Sequence, residues 1–132
     1  MKVFPARHIS IAINKPAREV YEYASNPENL PRWAAGLSSS IRKEGAEWIV
    51  DSPMGEVKVS FAPQNKYGIL DHNVTLPSGE LIYNPLRVIQ NNQGSEVVFT
   101  LYRLPGRSES EFTEDAGMVE KDLNSLKRLM EQ

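Results

Sequence analysis

In this chain of 132 residues, His72 is the strongest candidate for a side chain that takes part in chemistry. An imidazole titrates near neutral pH, so a histidine on an inward-facing strand position can act as a general acid or base. The alternative is a structural histidine that donates to a backbone carbonyl or to Tyr83. Asp71 precedes it, but neighbouring residues on a strand point to opposite faces, so Asp71 and His72 do not form a catalytic pair.

The strand pairing around His72 decides which side chains share its face. A hairpin loop of two residues, Ser78 and Gly79, would pair Val74 with Tyr83. The face of His72 would then be mostly apolar and would point inward, with Leu70, Val74, Leu76, Leu81 and Tyr83. In the enzymatic interpretation, Tyr83 supplies an orienting hydroxyl beside the histidine.

Pro85 interrupts the following strand and leaves two alternatives for Arg87. Proline cannot donate to a ladder, so inside a sheet it marks an edge or a bulge, and a bulge shifts side-chain parity by one residue. With a bulge, Arg87 points outward, and Leu86 and Val88 point inward to match Phe99 on the next strand. Without a bulge, Arg87 lies inside. We prefer the bulge because it places more apolar side chains on one face.

Composition excludes several classes of function. The chain has no cysteine and a formal charge of −2, and its mean hydropathy is −0.44. Disulfides, thiolate metal sites and cysteine nucleophiles are therefore absent, and no basic stripe indicates nucleic acid. No nucleophile elbow, phosphate loop or dinucleotide fingerprint is present. His8 and His72 fall on separate predicted strands, so we expect no metal and no cofactor.

The location expected from the sequence is cytoplasmic. The N-terminus lacks the pattern of a secretory signal, and no apolar run approaches the roughly 18 residues of a membrane span. The absence of cysteine fits a reducing compartment. We therefore expect a single cytoplasmic domain over residues 1–132, without a membrane span.

The elements that must position these residues follow from periodicity. Residues 8–14 alternate strictly, which predicts a half-buried strand. Asn14-Lys15-Pro16 starts a helix, and a second short helix extends to about Trp33. A meander of six strands follows, separated by turn residues, so the sheet should be antiparallel. The predicted strands are residues 39–43, 47–51, 56–63, 68–76, 80–90 and 95–103.

The last element is a long amphipathic helix from Ser108 to about Glu131. Ser108 and Glu111 form a capping-box pattern. Apolar residues then recur every three or four positions, and this stripe should face the sheet. Its members are Phe112, Ala116, Val119, Leu123, Leu126 and Met130. Gly117 lies inside the helix, where glycine costs about 1 kcal/mol relative to alanine.

Two segments carry a resemblance to a known superfamily. Residues 9–21, ISIAINKPAREVY, join a strand to a proline-led helix with a VY core, and residues 26–33, NPENLPRW, form the next short helix. This pattern resembles the START/birch-pollen-allergen superfamily (SRPBCC), in its bacterial polyketide cyclase/dehydrase-like branch, although Asn26 stands where aspartate is common. Residues 94–101, GSEVVFTL, and residues 119–123, VEKDL, are also similar to members of this branch, so the resemblance covers nearly the whole chain. It implies an α+β helix-grip fold, with a curved antiparallel sheet of about seven strands.

The resemblance also implies a cavity between the sheet and the last helix. In this superfamily the short second helix closes one mouth of the cavity, so the resemblance implies that Trp33, at the end of that helix, lies near this mouth. Each candidate for ligand contact also has a structural alternative, which is core packing for the apolar residues and a solvated face for arginine. The candidates are Trp33, Trp48, His72, Tyr83, Arg87, Phe99 and Met118.

Three functions remain open from the sequence. The first is binding of a small, largely hydrophobic molecule, because an apolar pocket with few polar groups is how such sites are built. The second is a cyclase or dehydratase-like enzyme with His72 as acid or base. The third is a protein-interaction domain of the co-chaperone kind. We expect a monomer or a homodimer.

Overall fold

The computed structural model describes residues 2–34 and 40–132. Within these ranges the chain forms one strand, two short helices, seven further strands and a long C-terminal helix, which confirms the predicted α+β order. The elements are β1 (Ala6–Ile13), α1 (Ala17–Ala24), one turn of 3-10 helix (Pro27–Asn29), α2 (Leu30–Trp33), β2 (Ser40–Glu44), β3 (Glu47–Ser52), β4 (Gly55–Phe61), β5 (His72–Thr75), β6 (Leu81–Asn84), β7 (Leu86–Asn91), β8 (Gly94–Tyr102) and α3 (Glu109–Met130). The first predicted strand after the helices began at Ser39, which lies outside the described residues. Across the described ranges, no helix is long and apolar enough to cross a membrane.

The strands form two antiparallel sections that join into one curved sheet. One section has five strands in the order β2-β3-β4-β5-β6, and the other has three strands in the order β1-β8-β7. His72, the first residue of β5, pairs with Asn84. Before the start of β5, an isolated bridge pairs Ile69 with Arg87, so the same antiparallel register continues there. β6 and β7 are therefore the two halves of one bent strand. Counted in this way, the expectation of about seven strands is confirmed.

The hairpin between β5 and β6 differs from the predicted one. Thr75 pairs with Leu81, so the loop comprises residues 76–80 rather than two residues. The longer loop moves the pairing by one position, and Tyr83 lies opposite Asn73 instead of Val74. Because residues directly opposite one another share a face, the predicted inward position of Tyr83 was wrong.

Pro85 bends the strand without a bulge. Proline lacks an N–H, and the next N–H, that of Leu86, donates to Oδ1 of Asp71 at 2.9 Å. The strand register is the same before and after the proline, so side chains continue to alternate between the two faces without interruption. The predicted bulge was wrong, although the outward position preferred for Arg87 is correct.

The long helix α3 begins as its sequence predicts. Ser108 Oγ accepts the Glu111 N–H at 3.0 Å, and Glu111 Oε1 accepts the Ser108 N–H at 2.9 Å, which completes the capping box. Near the other end, Lys127 Nζ donates to the Ala12 carbonyl at 2.8 Å, which ties α3 to β1. The helix is thus fixed across the sheet at one end and capped at the other.

The core has two clusters on the inner face of the sheet, which is the face that α3 covers in part. The larger cluster joins the β1-β8-β7 section to the three helices, and it includes the α3 residues Leu123 and Leu126. The smaller cluster is a group of valines on β3, β4 and β5. Ile41 and Phe61 pack against both clusters. The curved sheet is therefore continuous in packing as well as in pairing.

Candidate functional site

His72 lies on the inner face of β5 and is 8% exposed. Phe61 is directly opposite it on β4, with the two ring centroids 5.2 Å apart. The ring of Phe99, on β8, lies 6.3 Å from the imidazole in an edge-to-face arrangement. The strand alternation correctly placed His72 inward, and the structure adds two aromatic neighbours on either side of it.

The hydrogen bond of His72 fixes its tautomer. Nδ1 lies 3.0 Å from the Leu70 carbonyl oxygen. A carbonyl can only accept, so Nδ1 carries the proton and Nε2 carries the lone pair. Burial lowers the pKa of His72, opposed by the bond to Leu70 and the charge of Asp71. The imidazole is therefore neutral at pH 7, and within the described residues Nε2 has no hydrogen-bond partner.

Apolar side chains near His72 face inward but keep some contact with solvent. Phe61, Phe99 and Ile9 are only partly buried, and Ile9 is directly opposite Phe99. Val119, in the apolar stripe of α3, is also only partly buried. Side chains that fill a sealed core approach complete burial, as Leu123 and Leu126 do at 1% and 0% exposure. The four partly buried side chains pack against the larger core cluster, but part of each one remains accessible to solvent.

Asp71 organises a polar cluster on the outer face. Its carboxylate accepts Arg87 Nε and Nη2 at 2.9 and 2.7 Å, and it accepts the Tyr83 hydroxyl at 2.9 Å. The Arg87 guanidinium and the Leu86 N–H help to lower the pKa of Asp71 to about 2 against the opposing effect of burial. Arg87 and Tyr83 are therefore partners of Asp71 on the side away from α3. The sequence had grouped Tyr83 with His72, and the changed hairpin register is the reason that it does not lie there.

The other sequence candidates are dispersed. Trp33 is 5% exposed and belongs to the larger core cluster. Trp48 shares the inner face with Val59, which is directly opposite, and Lys43 Nζ lies 5.9 Å from its ring centroid. Met118 is 49% exposed on the flank of α3. Of the seven candidates, the structure brings together His72 and Phe99.

Asp122 was not among the candidates named from the sequence. Its carboxylate is partly buried on α3, and this burial raises the pKa of Asp122 to about 6 although Lys121 opposes the shift. Asp122 lies on the flank of α3 opposite Lys127, which faces β1. Trp33, on α2, has an indole N–H that is buried without an acceptor in the part of the chain that is described. Among the described residues, this indole N–H thus lacks the acceptor that a buried donor normally has.

A separate groove lies between α1, residues 64–68 and β7. Its volume is about 730 Å³, and Tyr21, Asn65, Tyr67 and Ile89 contribute to its walls. The Tyr21 hydroxyl accepts the Asn65 N–H at 3.0 Å and donates to Gln64 Oε1 at 3.2 Å, which holds α1 against this loop. Because α3 contributes no residue to its walls, this groove is not the predicted cavity.

Comparison with known proteins identifies solved structures with a similar fold. No protein-family model matches the sequence, and neither does any curated protein. Similar solved structures include the protein XoxI from Bacillus cereus, with 16% identity over 96% of each chain and a TM-score of 0.77. A START superfamily protein from Mycobacterium smegmatis has 11% identity over 96% of this chain and 97% of that chain, with a TM-score of 0.67. Aha1 from Colwellia psychrerythraea, a dimer in solution, has 13% identity over 96% of each chain and a TM-score of 0.74.

These likenesses establish the fold. The chain has the START-like helix-grip fold that its sequence resembles, with a long C-terminal helix across a curved antiparallel sheet. Fold alone does not assign a function, because one fold carries many unrelated activities. The function has to be argued from the inner face and from His72.

Proposed function

We propose that this protein binds a small, largely hydrophobic molecule between the curved sheet and α3. The observation that carries the proposal is the incomplete burial of inward-facing apolar side chains, namely Phe61, Phe99 and Ile9 near His72 and Val119 in the apolar stripe of α3. Apolar surface that remains accessible inside a fold gains free energy when a ligand removes it from water, at roughly 25 cal/mol per Å². The resemblance to a superfamily that includes lipid and hormone binders supports the same function.

The charges around the inner face also support an apolar ligand. Arg87 is held on the outer face by Asp71. Arg7 and Lys43 do face the inner side, but both are exposed at its margins, over the rings of Phe112 and Trp48. His72 is neutral and buried. Binding sites for small apolar molecules have this composition, with many apolar groups and few polar ones.

The enzymatic alternative is weakened by the register of β6. It required His72 as acid or base and Tyr83 as the orienting hydroxyl, and Tyr83 donates to Asp71 on the other face. A general base must lie within hydrogen-bond reach of the proton that it takes up, and the residue expected to orient a substrate there lies on the other face. His72 keeps an available Nε2 but lacks the orienting hydroxyl of Tyr83. Binding is therefore the function that the described geometry supports best.

Titration with N-phenyl-1-naphthylamine tests the proposal, since this neutral dye fluoresces in apolar surroundings. We expect saturable binding of about one dye per chain. Val119→Trp should fill the space beneath α3 and abolish most of the fluorescence. Ile89→Trp is the matched control, because Ile89 is 52% exposed and lines the groove beside α1.

The two variants distinguish the two places where the dye could bind. Retention of binding in Val119→Trp together with its loss in Ile89→Trp would place the dye in the outer groove and overturn the proposal. Circular dichroism of both variants checks that each is folded. Native mass spectrometry of the purified wild-type protein provides an independent test, because a retained hydrophobic molecule should appear as a fixed added mass.

A further inference from the structure

His72 presents a hydrogen-bond acceptor to the inner face. The Leu70 carbonyl holds the Nδ1 proton at a heavy-atom distance of 3.0 Å, so Nε2 cannot be the protonated nitrogen of a neutral ring. The ring orientation is fixed further by Phe61 and Phe99 on either side. The protein thus directs one lone pair from a rigid strand, and rigid placement of a polar group is what gives a binding site its specificity.

The protein itself leaves this acceptor unsatisfied. No described residue donates to Nε2, and the obvious donor, the Tyr83 hydroxyl, is bound to Asp71 on the opposite face. Nε2 is not among the fully buried atoms that lack a partner, so it remains accessible, and a ligand donor that reaches it gains about one net hydrogen bond. The imidazole is more than nine-tenths buried, so a donor must approach its Nε2 from the inner face of the sheet.

The surroundings of Nε2 limit the chemistry of the donor. Phe61 and Phe99 are the neighbouring rings, and the neutral Asn84 lies directly opposite His72 on the same face. A cationic donor placed there would lose its hydration without a counter-ion. A carboxylate has no proton to give and would meet the His72 lone pair. A neutral hydroxyl on an apolar skeleton satisfies the acceptor and matches the aromatic walls.

We infer that the ligand is a neutral phenol or alcohol with an apolar skeleton, whose hydroxyl donates to Nε2 of His72. This inference rests on the proposed function and adds the class of ligand. It treats His72 as a determinant of specificity that requires no proton transfer.

Two probes of the same skeleton test the inference, namely 2-naphthol and 2-methoxynaphthalene, because methylation removes the donor and keeps the aromatic surface. Their affinities are measured by displacement of N-phenyl-1-naphthylamine. We expect 2-naphthol to bind wild-type protein about three- to tenfold more tightly, which corresponds to one net hydrogen bond. In His72→Phe, which keeps an aromatic ring at this position, the ratio should fall to about one.

A second measurement does not depend on the folding of a variant. In wild-type protein with ¹⁵N-labelled histidine, the Nε2 resonance of His72 should shift with 2-naphthol and stay in place with 2-methoxynaphthalene. Equal affinities with an unmoved Nε2 resonance would overturn the inference while leaving the hydrophobic site intact. A preference for 2-naphthol that persists in His72→Phe would also overturn it. Failure of both probes and of the dye to bind wild-type protein would overturn the proposed function itself.

Discussion

Arg87 donates through both Nε and Nη2 to the carboxylate of Asp71, at 2.9 and 2.7 Å, on the outer face of the bent strand. The same carboxylate accepts the Leu86 N–H, next to the proline that cannot donate. A side chain thus replaces a ladder bond at the point where β6 becomes β7. Two parallel N–H···O bonds fix this geometry more firmly than a single contact would.

Asp71→Asn should destabilise the protein by about 1–2 kcal/mol at neutral pH, a value that allows for screening of the partly exposed arginine. The pKa of Asp71 is lowered to about 2, so its contribution is present above the ordinary value of 3.8 and is lost as pH falls through 2. Urea unfolding at pH 7 and pH 3 measures this change. The difference between wild type and variant should be smaller at the lower pH.

Glu22→Gln serves as the control for the Asp71 prediction. It breaks the pair between Arg18 and Glu22 on α1, whose side chains are 88% and 62% exposed. Such a surface pair contributes about 0–1 kcal/mol. Equal effects of the two substitutions would show that the Asp71 cluster is an ordinary surface ion pair.

Much of the fold could be predicted from the sequence because its signals are local. The alternation of residues 8–14, the capping box at Ser108 and the apolar spacing of α3 each depend on residues within a few positions of one another. The packing of the helices on the sheet then follows from the need to cover its one apolar face. These elements appear in the structure close to their expected bounds.

The site was less predictable because it depends on register. A loop of five residues instead of two moves Tyr83 from a position opposite Val74 to a position opposite Asn73, and every residue of β6 changes face with it. Nothing local in residues 76–80 distinguishes the two loops. Asp122 escaped prediction for another reason, because on a helix a single flanking carboxylate looks the same in sequence whether it is solvated or buried.

Gly117→Ala should stabilise α3 by about 1 kcal/mol, because alanine is a better helix former and the added Cβ meets open space. Gly68→Ala is the contrasting variant. Gly68 has φ of +74°, and a Cβ there would lie 2.2 Å from the Val88 carbonyl oxygen. We expect a loss of roughly 2 kcal/mol or more from that variant. Thermal melts compare the two, and a destabilised Gly117→Ala would indicate that something must approach the helix closely at this position.

Asp122→Asn should stabilise the protein at pH 7. The pKa of Asp122 is raised to about 6 from 3.8, so the ionised carboxylate is a cost that is absent below the lower value and complete above the higher one. The gain should be on the order of 1 kcal/mol after discounting for solvent screening. Unfolding free energies at pH 7 and pH 4 should show the gain only at the higher pH.

Asp115→Asn, on the same helix, is the control for Asp122→Asn and should not stabilise the protein. Asp115 accepts two hydrogen bonds from Arg107 Nη2, at 2.9 and 2.7 Å, so its loss should be neutral or destabilising. If both asparagine variants were stabilised equally, the effect would come from helix charge in general and not from the burial of Asp122.

His72→Phe should make the stability of the protein less sensitive to acid between pH 7 and pH 5. Because burial lowers the pKa of His72, the folded state takes up a proton less readily than the unfolded chain. Wild-type stability therefore falls as pH drops below the ordinary value of 6.5, by up to about 1.4 kcal/mol per pH unit from this group. Asp71 and Asp122 are present in both proteins, so their contributions largely cancel when the two unfolding curves are subtracted. Parallel curves for wild type and variant would mean that His72 binds its proton as readily in the folded state as in the unfolded chain, and the neutral imidazole on which the hydroxyl inference depends would then be wrong.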